Sequence, residues 1–191
     1  MGSIQDAKEY IEWISETVRL DAIANSTKRR NVYRGEVYWC WFGINIGSEQ
    51  NKKRPCVILQ NDKGNLGSPN TIVAPITNTG STLDVVVPVA DKYDTNNTRI
   101  LSGYVQLGNV VTISKSRLDN KITKLSKSEM GLVDIALSKA IDLNHRFDKY
   151  ENTIADKNQY IDKLKLMIAE KDKEIQALVS QMNSNVDVDT Q

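Results

Sequence analysis

Three cations, Lys52-Lys53-Arg54, stand immediately before an apolar run over 55–60, and a second run over 71–76 leads to the hydroxyl of Thr77. A cation held at the mouth of one strand, beside a hydroxyl at the end of the next, suits a site that handles phosphate. Arg54 is the strongest of the three for that task, because a planar guanidinium grips two phosphate oxygens at once while lysine offers a point charge. Thr77 can hydrogen-bond phosphate or relay a proton to a departing oxygen. Each residue also has a plainer reading: a surface ion pair for Arg54, with Glu49 as partner, and a turn-closing strand-end hydroxyl for Thr77. Lys52 and Lys53 would add phosphate attraction without reading sequence.

The rest of the inventory narrows the chemistry. The one histidine, His145, lies beyond the strand-rich region, which excludes a two-histidine acid–base pair within one chain and a Ser-His-Asp triad among the strands. No HExxH, no phosphate loop ending in Gly-Lys-Ser/Thr and no carboxylate–histidine cluster occurs, so no metal and no cofactor are expected. Gly64-Asn65-Leu66-Gly67 reads as a turn, organised by Asn61 and Asp62. Cys40 and Cys56 lie inside apolar runs without CxxC spacing and read as buried free thiols.

Several elements must position these residues. Short β-rich runs at 37–41, 55–60, 71–76, 84–89 and 103–107 are separated by Gly-, Asn- and Asp-rich turns, a spacing that favours a small barrel or sandwich over 32–143. Tyr38-Trp39-Cys40-Trp41-Phe42 could offer a face for stacking unpaired bases, although strand alternation assigns about half of it to the core. Ile4, Ala7, Ile11, Ile14 and Val18 recur at helical spacing, so 1–27 reads as an amphipathic helix and 28–31 as a linker. Ser126-Lys-Ser-Glu129 has the form of a capping box, and the helix it opens is expected to continue. Counting sevens from Ala140 gives Phe147, Ile154, Ile161, Ile168, Ile175 and Met182. The partner positions are Leu143, Tyr150, Lys157, Leu164, Lys171 and Leu178. This predicts a coiled coil over 144–182, with 183–191 a disordered tail. Isoleucine at the first core position with leucine at the second favours two parallel strands, while the two lysines lower stability and fix register.

Charge is segregated. Residues 28–147 carry 17 Lys/Arg against 10 Asp/Glu, whereas each flank has a net charge of −3. A basic centre suits a nucleic-acid partner, because phosphate neutralisation supplies most non-specific affinity. No stretch approaches the ~20 apolar residues of a membrane span, and no apolar leader opens the chain, so a cytoplasmic protein with no membrane partner is expected.

Ordered matches run through the centre: Arg34-Gly35-Glu36-Val37-Tyr38, Gly47-Ser48-Glu49-Gln50, Arg54-Pro55, Gln60-Asn61-Asp62, Gly64-Asn65, Ser68-Pro69 and Ile72-Val73-Ala74-Pro75-Ile76-Thr77. They continue through Thr112-Ile113-Ser114-Lys115-Ser116-Arg117-Leu118 and Lys121-Ile122. In wording and order this stretch resembles the MazF/PemK family of toxin endoribonucleases over 32–143. The resemblance implies a mainly β fold, an SH3-like small barrel with a C-terminal helix, here extended by the N-terminal helix and the coiled coil. It implies a homodimer acting on single-stranded RNA and held in check by a small antitoxin. Arg54 and Thr77 match the family's catalytic pair. By the same resemblance the RNA's own 2′-hydroxyl attacks its phosphate, leaving a 2′,3′-cyclic phosphate and a 5′-hydroxyl. Such an enzyme must stabilise the phosphorane and supply proton donors. A general-base role does not suit Arg54, which stays protonated.

Ser48, Glu49 and Gln50 fall in the loop that covers RNA in the family. One departure stands out: members commonly carry Glu-Gln-Ile-Arg where this chain has Gly108-Asn109-Val110-Val111. Asn109 therefore replaces a groove glutamine, and the arginine is lost, a change compatible with altered specificity, weaker binding or lost activity. Three readings result: a sequence-selective nuclease, a catalytically silent barrel that binds nucleic acid or protein, and an assembly module worked by its coiled coil. The acidic flanks could dimerise the protein or restrain the basic barrel in cis.

Overall fold

The structure, a computed structural model, describes residues 4–186. It divides after Asp142 into two units. The first holds seven antiparallel strands: β1 (Glu36–Trp41), β2 (Lys53–Ile58), β3 (Asn70–Thr77), β4 (Val86–Tyr93), β5 (Arg99–Gln106), β6 (Val111–Ser114) and β7 (Leu118–Lys124). They hydrogen-bond in the order β4-β5-β3-β2-β1-β7, with β6 also on β3, and curl into a half-barrel. The expected small barrel is thus present, with two strands, β6 and β7, that hydrophobic runs did not announce. β6 is only four residues long and β7 carries polar residues at most positions, so their place is set by pairing with β3 and β1.

The sheet is buried on two faces. Val37, Val57, Ala74, Ile76 and Val105 form one core with Val133 and Ala136 of helix α4 (Lys127–Ala140); the helices before it are α1 (Ile4–Ala22), α2 (Ala24–Thr27) and α3 (Asp62–Gly67). Tyr38, Cys40, Phe42, Cys56, Ile58 and Val73 form the other core. Alternation along β1 therefore sends Tyr38, Cys40 and Phe42 inward and leaves Trp39 37% exposed. Both cysteines are free and buried, and burial with the neighbouring Cys40 pushes the Cys56 thiol up.

The stretch read as a turn at 64–67 belongs to α3, capped by the Asn61 side chain accepting from the Gly64 N–H at 2.7 Å. The capping box at Ser126 and Glu129 is formed in full. The helix it opens does not continue as expected. It ends at Ala140, and Asp142, at φ 53°, turns the chain before α5 (Asn144–Val186) begins. The second unit is this single 43-residue helix. It extends through 183–186, where a disordered tail was expected; 187–191 lie outside the described residues.

Candidate phosphate-binding site

β2 and β3 pair with Cys56 opposite Pro75 and Val57 opposite Ala74. Extending this register by two residues sets Arg54 across from Thr77. The two candidate residues therefore meet because strand pairing brings the start of β2 to the end of β3. They share a pocket of about 390 Å³, whose lining includes Trp39, Lys52, Lys53, Asn78, Arg99 and Ser102. Four cations line it. Three of them are ion-paired to carboxylates outside the lining, Lys52 to Glu9, Lys53 to Asp119 and Arg99 to Asp91. Arg54 has no such ion pair among the described residues, a balance suited to one anion.

The side chains differ in how far they are committed. The Arg54 Nε donates to the Asn51 carbonyl at 2.7 Å, which anchors the guanidinium. The ion pair with Glu49 is not formed: the Glu49 carboxylate instead accepts from the Ile46 N–H at 3.3 Å. Thr77 is 8% exposed, donates to the Thr79 carbonyl at 3.1 Å and accepts from the Gln106 amide at 3.1 Å. Its turn-closing role is therefore real, and the hydroxyl also borders the cationic pocket. Lys53 pairs with Asp119 and lies 5.0 Å over the Trp41 ring. That hydrogen bond from Lys53 holds the Asp119 carboxyl below its ordinary range. Lys52 pairs with Glu9 of α1 at 3.3 Å. It sits at φ 66°, a left-handed backbone that side chains disfavour, held there by its N–H to the Gly43 carbonyl at 2.7 Å.

The RNA-contact candidates do not all gather here. Glu49, Gln50 and Asn109 converge in a separate pocket of about 630 Å³, beside Val111 and Arg117. Arg117 is not a free cation there. Its guanidinium donates to the Trp41 and Phe42 carbonyls at 3.0 Å and stacks 5.3 Å from Trp13. Ser48 is exposed on the loop between β1 and β2. A third pocket, of about 500 Å³, lies between α1 and the sheet, where Glu9, Glu12 and Glu16 face Lys52 and Lys53.

Arg99 and Gln106 were missed by sequence reasoning. Arg99 opens β5, in a stretch too polar to stand out as strand, and reaches Asp91 at 3.4 Å. Gln106 closes the same strand and touches Thr77 only because β5 pairs with β3. Gly103 makes that pairing possible. At φ 128°, an added Cβ would lie 2.4 Å from the Thr77 carbonyl oxygen.

The chain is similar to known proteins. A family described as PemK-like, MazF-like toxin of type II toxin-antitoxin system matches residues 33–141. The Endoribonuclease MazF of Staphylococcus epidermidis is 37% identical over 124 residues, spanning 63% of this chain and 99% of that protein. Among solved structures, an endoribonuclease in complex with its cognate antitoxin from a mycobacterial species is 24% identical, with a TM-score of 0.50, covering 59% of this chain and 96% of that one. MazF (Form-I) from Deinococcus radiodurans is 18% identical at a TM-score of 0.51, covering 58% and 96%. These two structural likenesses bear on fold alone. The family span leaves out α1 and α5.

Proposed function

This chain belongs to the PemK-like, MazF-like toxin family of type II toxin-antitoxin systems, and from that membership we propose that it is a metal-independent, sequence-selective endoribonuclease acting on single-stranded RNA. The observation that carries the reading is the pocket that Arg54 and Thr77 share, where Arg54 is the one lining cation without an ion pair among the described residues.

In this mechanism the 2′-hydroxyl of the RNA attacks the adjacent phosphorus and the bond to the 5′-oxygen breaks. The products are a 2′,3′-cyclic phosphate and a 5′-hydroxyl, with no water consumed. Arg54 forks the non-bridging oxygens and offsets the charge that grows on the phosphorane. Thr77 turns its hydroxyl from the Thr79 carbonyl to the leaving 5′-oxygen and relays a proton to it, regaining one from solvent, with Gln106 steadying the hydroxyl as donor. The proton of the 2′-hydroxyl passes to solvent. Trp39, exposed at the pocket wall, offers an aromatic face to a flanking base. Glu49, Gln50 and Asn109, in their separate pocket, are candidates for reading bases beyond the cut. A homodimer and a small antitoxin that covers the basic surface complete the proposal.

The test is incubation of the full chain with a long unstructured RNA in EDTA, followed by end mapping. Discrete cuts with 5′-hydroxyl ends, lost when the cut nucleotide is 2′-deoxy, are expected. Intact RNA, or cuts that persist at 2′-deoxy sites, would contradict the mechanism. A catalytically silent binding barrel is the second reading, favoured by Val111, which leaves the groove beside Asn109 without the family's arginine.

A further inference from the structure

We propose that α5 pairs antiparallel with α5 of a second copy of this chain, with Ile161 against Leu164 of that copy at the centre and Phe147 against Leu178 at each end. The proposal does not depend on the nuclease reading.

α5 runs unbroken for 43 residues. Its isoleucine row and Phe147 are 45% to 59% exposed, so the helix by itself carries a continuous apolar face that no other part of its own unit covers among the described residues. Packing such a face against a like helix is the general solution for a sustained heptad. Charge favours the same partner. Residues 144–186 hold seven Lys/Arg and seven Asp/Glu, so two copies meet without net repulsion. α1 also exposes an apolar stripe, but its net charge of −3 over 4–22 gives no charge match to a neutral helix.

The two lysines decide the orientation. Lys157 and Lys171 both occupy the second core position of the heptad. In a parallel, in-register pair each core residue meets its own counterpart, so two layers would oppose lysine to lysine. An antiparallel pair sets first core positions against second ones. Lysine then never meets lysine: Lys157 faces Ile168 and Lys171 faces Ile154. The stems pack on isoleucine while the ammonium groups reach solvent. The central register follows from coverage. It matches every apolar core residue from Phe147 to Leu178, an overlap of about 48 Å at the helical rise, with Met182 beyond the overlap; a slide of one heptad either way takes the apolar partner from Phe147 or from Leu178. The starts of the two helices then lie at opposite ends of the pair.

Two single substitutions in the full chain, Phe147→Cys and Leu178→Cys, test the orientation under mild oxidation, with the unaltered chain as background for buried Cys40 and Cys56. Disulfide-linked dimers are expected only when the two variants are co-expressed. A dimer from Phe147→Cys alone would establish a parallel pair and overturn the proposal. Because these substitutions trim the core, a spin label at Ser180→Cys, on the opposite face, supplies a second measurement. A label-to-label distance of about 50 Å is expected from the register and the helical rise. A distance under about 20 Å, as in-register parallel helices would give, or no coupling at all, would overturn the proposal.

Discussion

Arg54 and Thr77 line one pocket because the antiparallel register of β2 and β3 brings the start of one strand to the end of the other, and that makes a shared role for them testable one residue at a time. Arg54→Ala should lower the cleavage rate by roughly 100-fold or more, the scale on which single stabilising donors act, with little change in thermal midpoint. Lys52→Gly separates strain from charge. Removing a side chain from the left-handed backbone at φ 66° should stabilise the fold by about 1 kcal/mol, while loss of the ammonium weakens RNA binding and flattens its salt dependence. Calorimetry together with a salt titration of RNA affinity checks both; a variant less stable than the parent would remove the strain argument. Gly103→Ala should destabilise by roughly 2 kcal/mol and impair cleavage, since the new Cβ would strike the Thr77 carbonyl. Arg54 and Thr77 were legible in the sequence because each marks the end of an apolar run. Arg99 and Gln106 were not, because only the β3–β5 pairing brings them to Thr77.

At the scale of elements, α1 and α4 carry distinct consequences. α1 presents Glu9, Glu12 and Glu16 to Lys52 and Lys53, and its Trp13 ring packs where a Cβ at Gly43 would stand. Removing residues 1–27 should therefore free Lys52 and tighten RNA binding a few-fold at low salt, with the gain fading as ionic strength rises. An unchanged affinity would mean that the Glu9–Lys52 pair is a surface contact without effect. α4 is tied down through Glu129. Burial opposes its ionised form, but hydrogen bonds from Lys92 and Ser126 outweigh that and hold its pKa down to about 2. A depressed carboxylate contributes stability that is present above its unfolded pKa of about 4.5 and is lost as pH falls through the folded value. Unfolding free energy should then drop by roughly 3 kcal/mol between about pH 4.5 and pH 2, and Glu129→Gln should flatten that part of the profile. The capping box was readable from four residues, whereas the stop at Ala140 was not. The apolar rhythm runs on across it, and only the left-handed Asp142 interrupts the helix.

For the whole molecule, charge and architecture divide the work. The basic centre at 28–147 coincides with the half-barrel that holds the cationic pocket, and of the two helices outside the family span α1 is net negative while α5 is neutral. This division was visible in composition before any fold was known, since it needs only the count of charges along the chain. The curl of the sheet was not, because β6 and β7 become strands only once β3 and β1 offer them edges. The central claim is that Arg54 and Thr77 act on one phosphate. Its most direct test is single-turnover cleavage of a short unstructured RNA in EDTA by the full chain, Arg54→Ala, Thr77→Val and the double variant. The account predicts a large loss in each single variant and a double variant little worse than the poorer of the two, as for groups that serve one transition state. Two single variants that cut at the parental rate would contradict it.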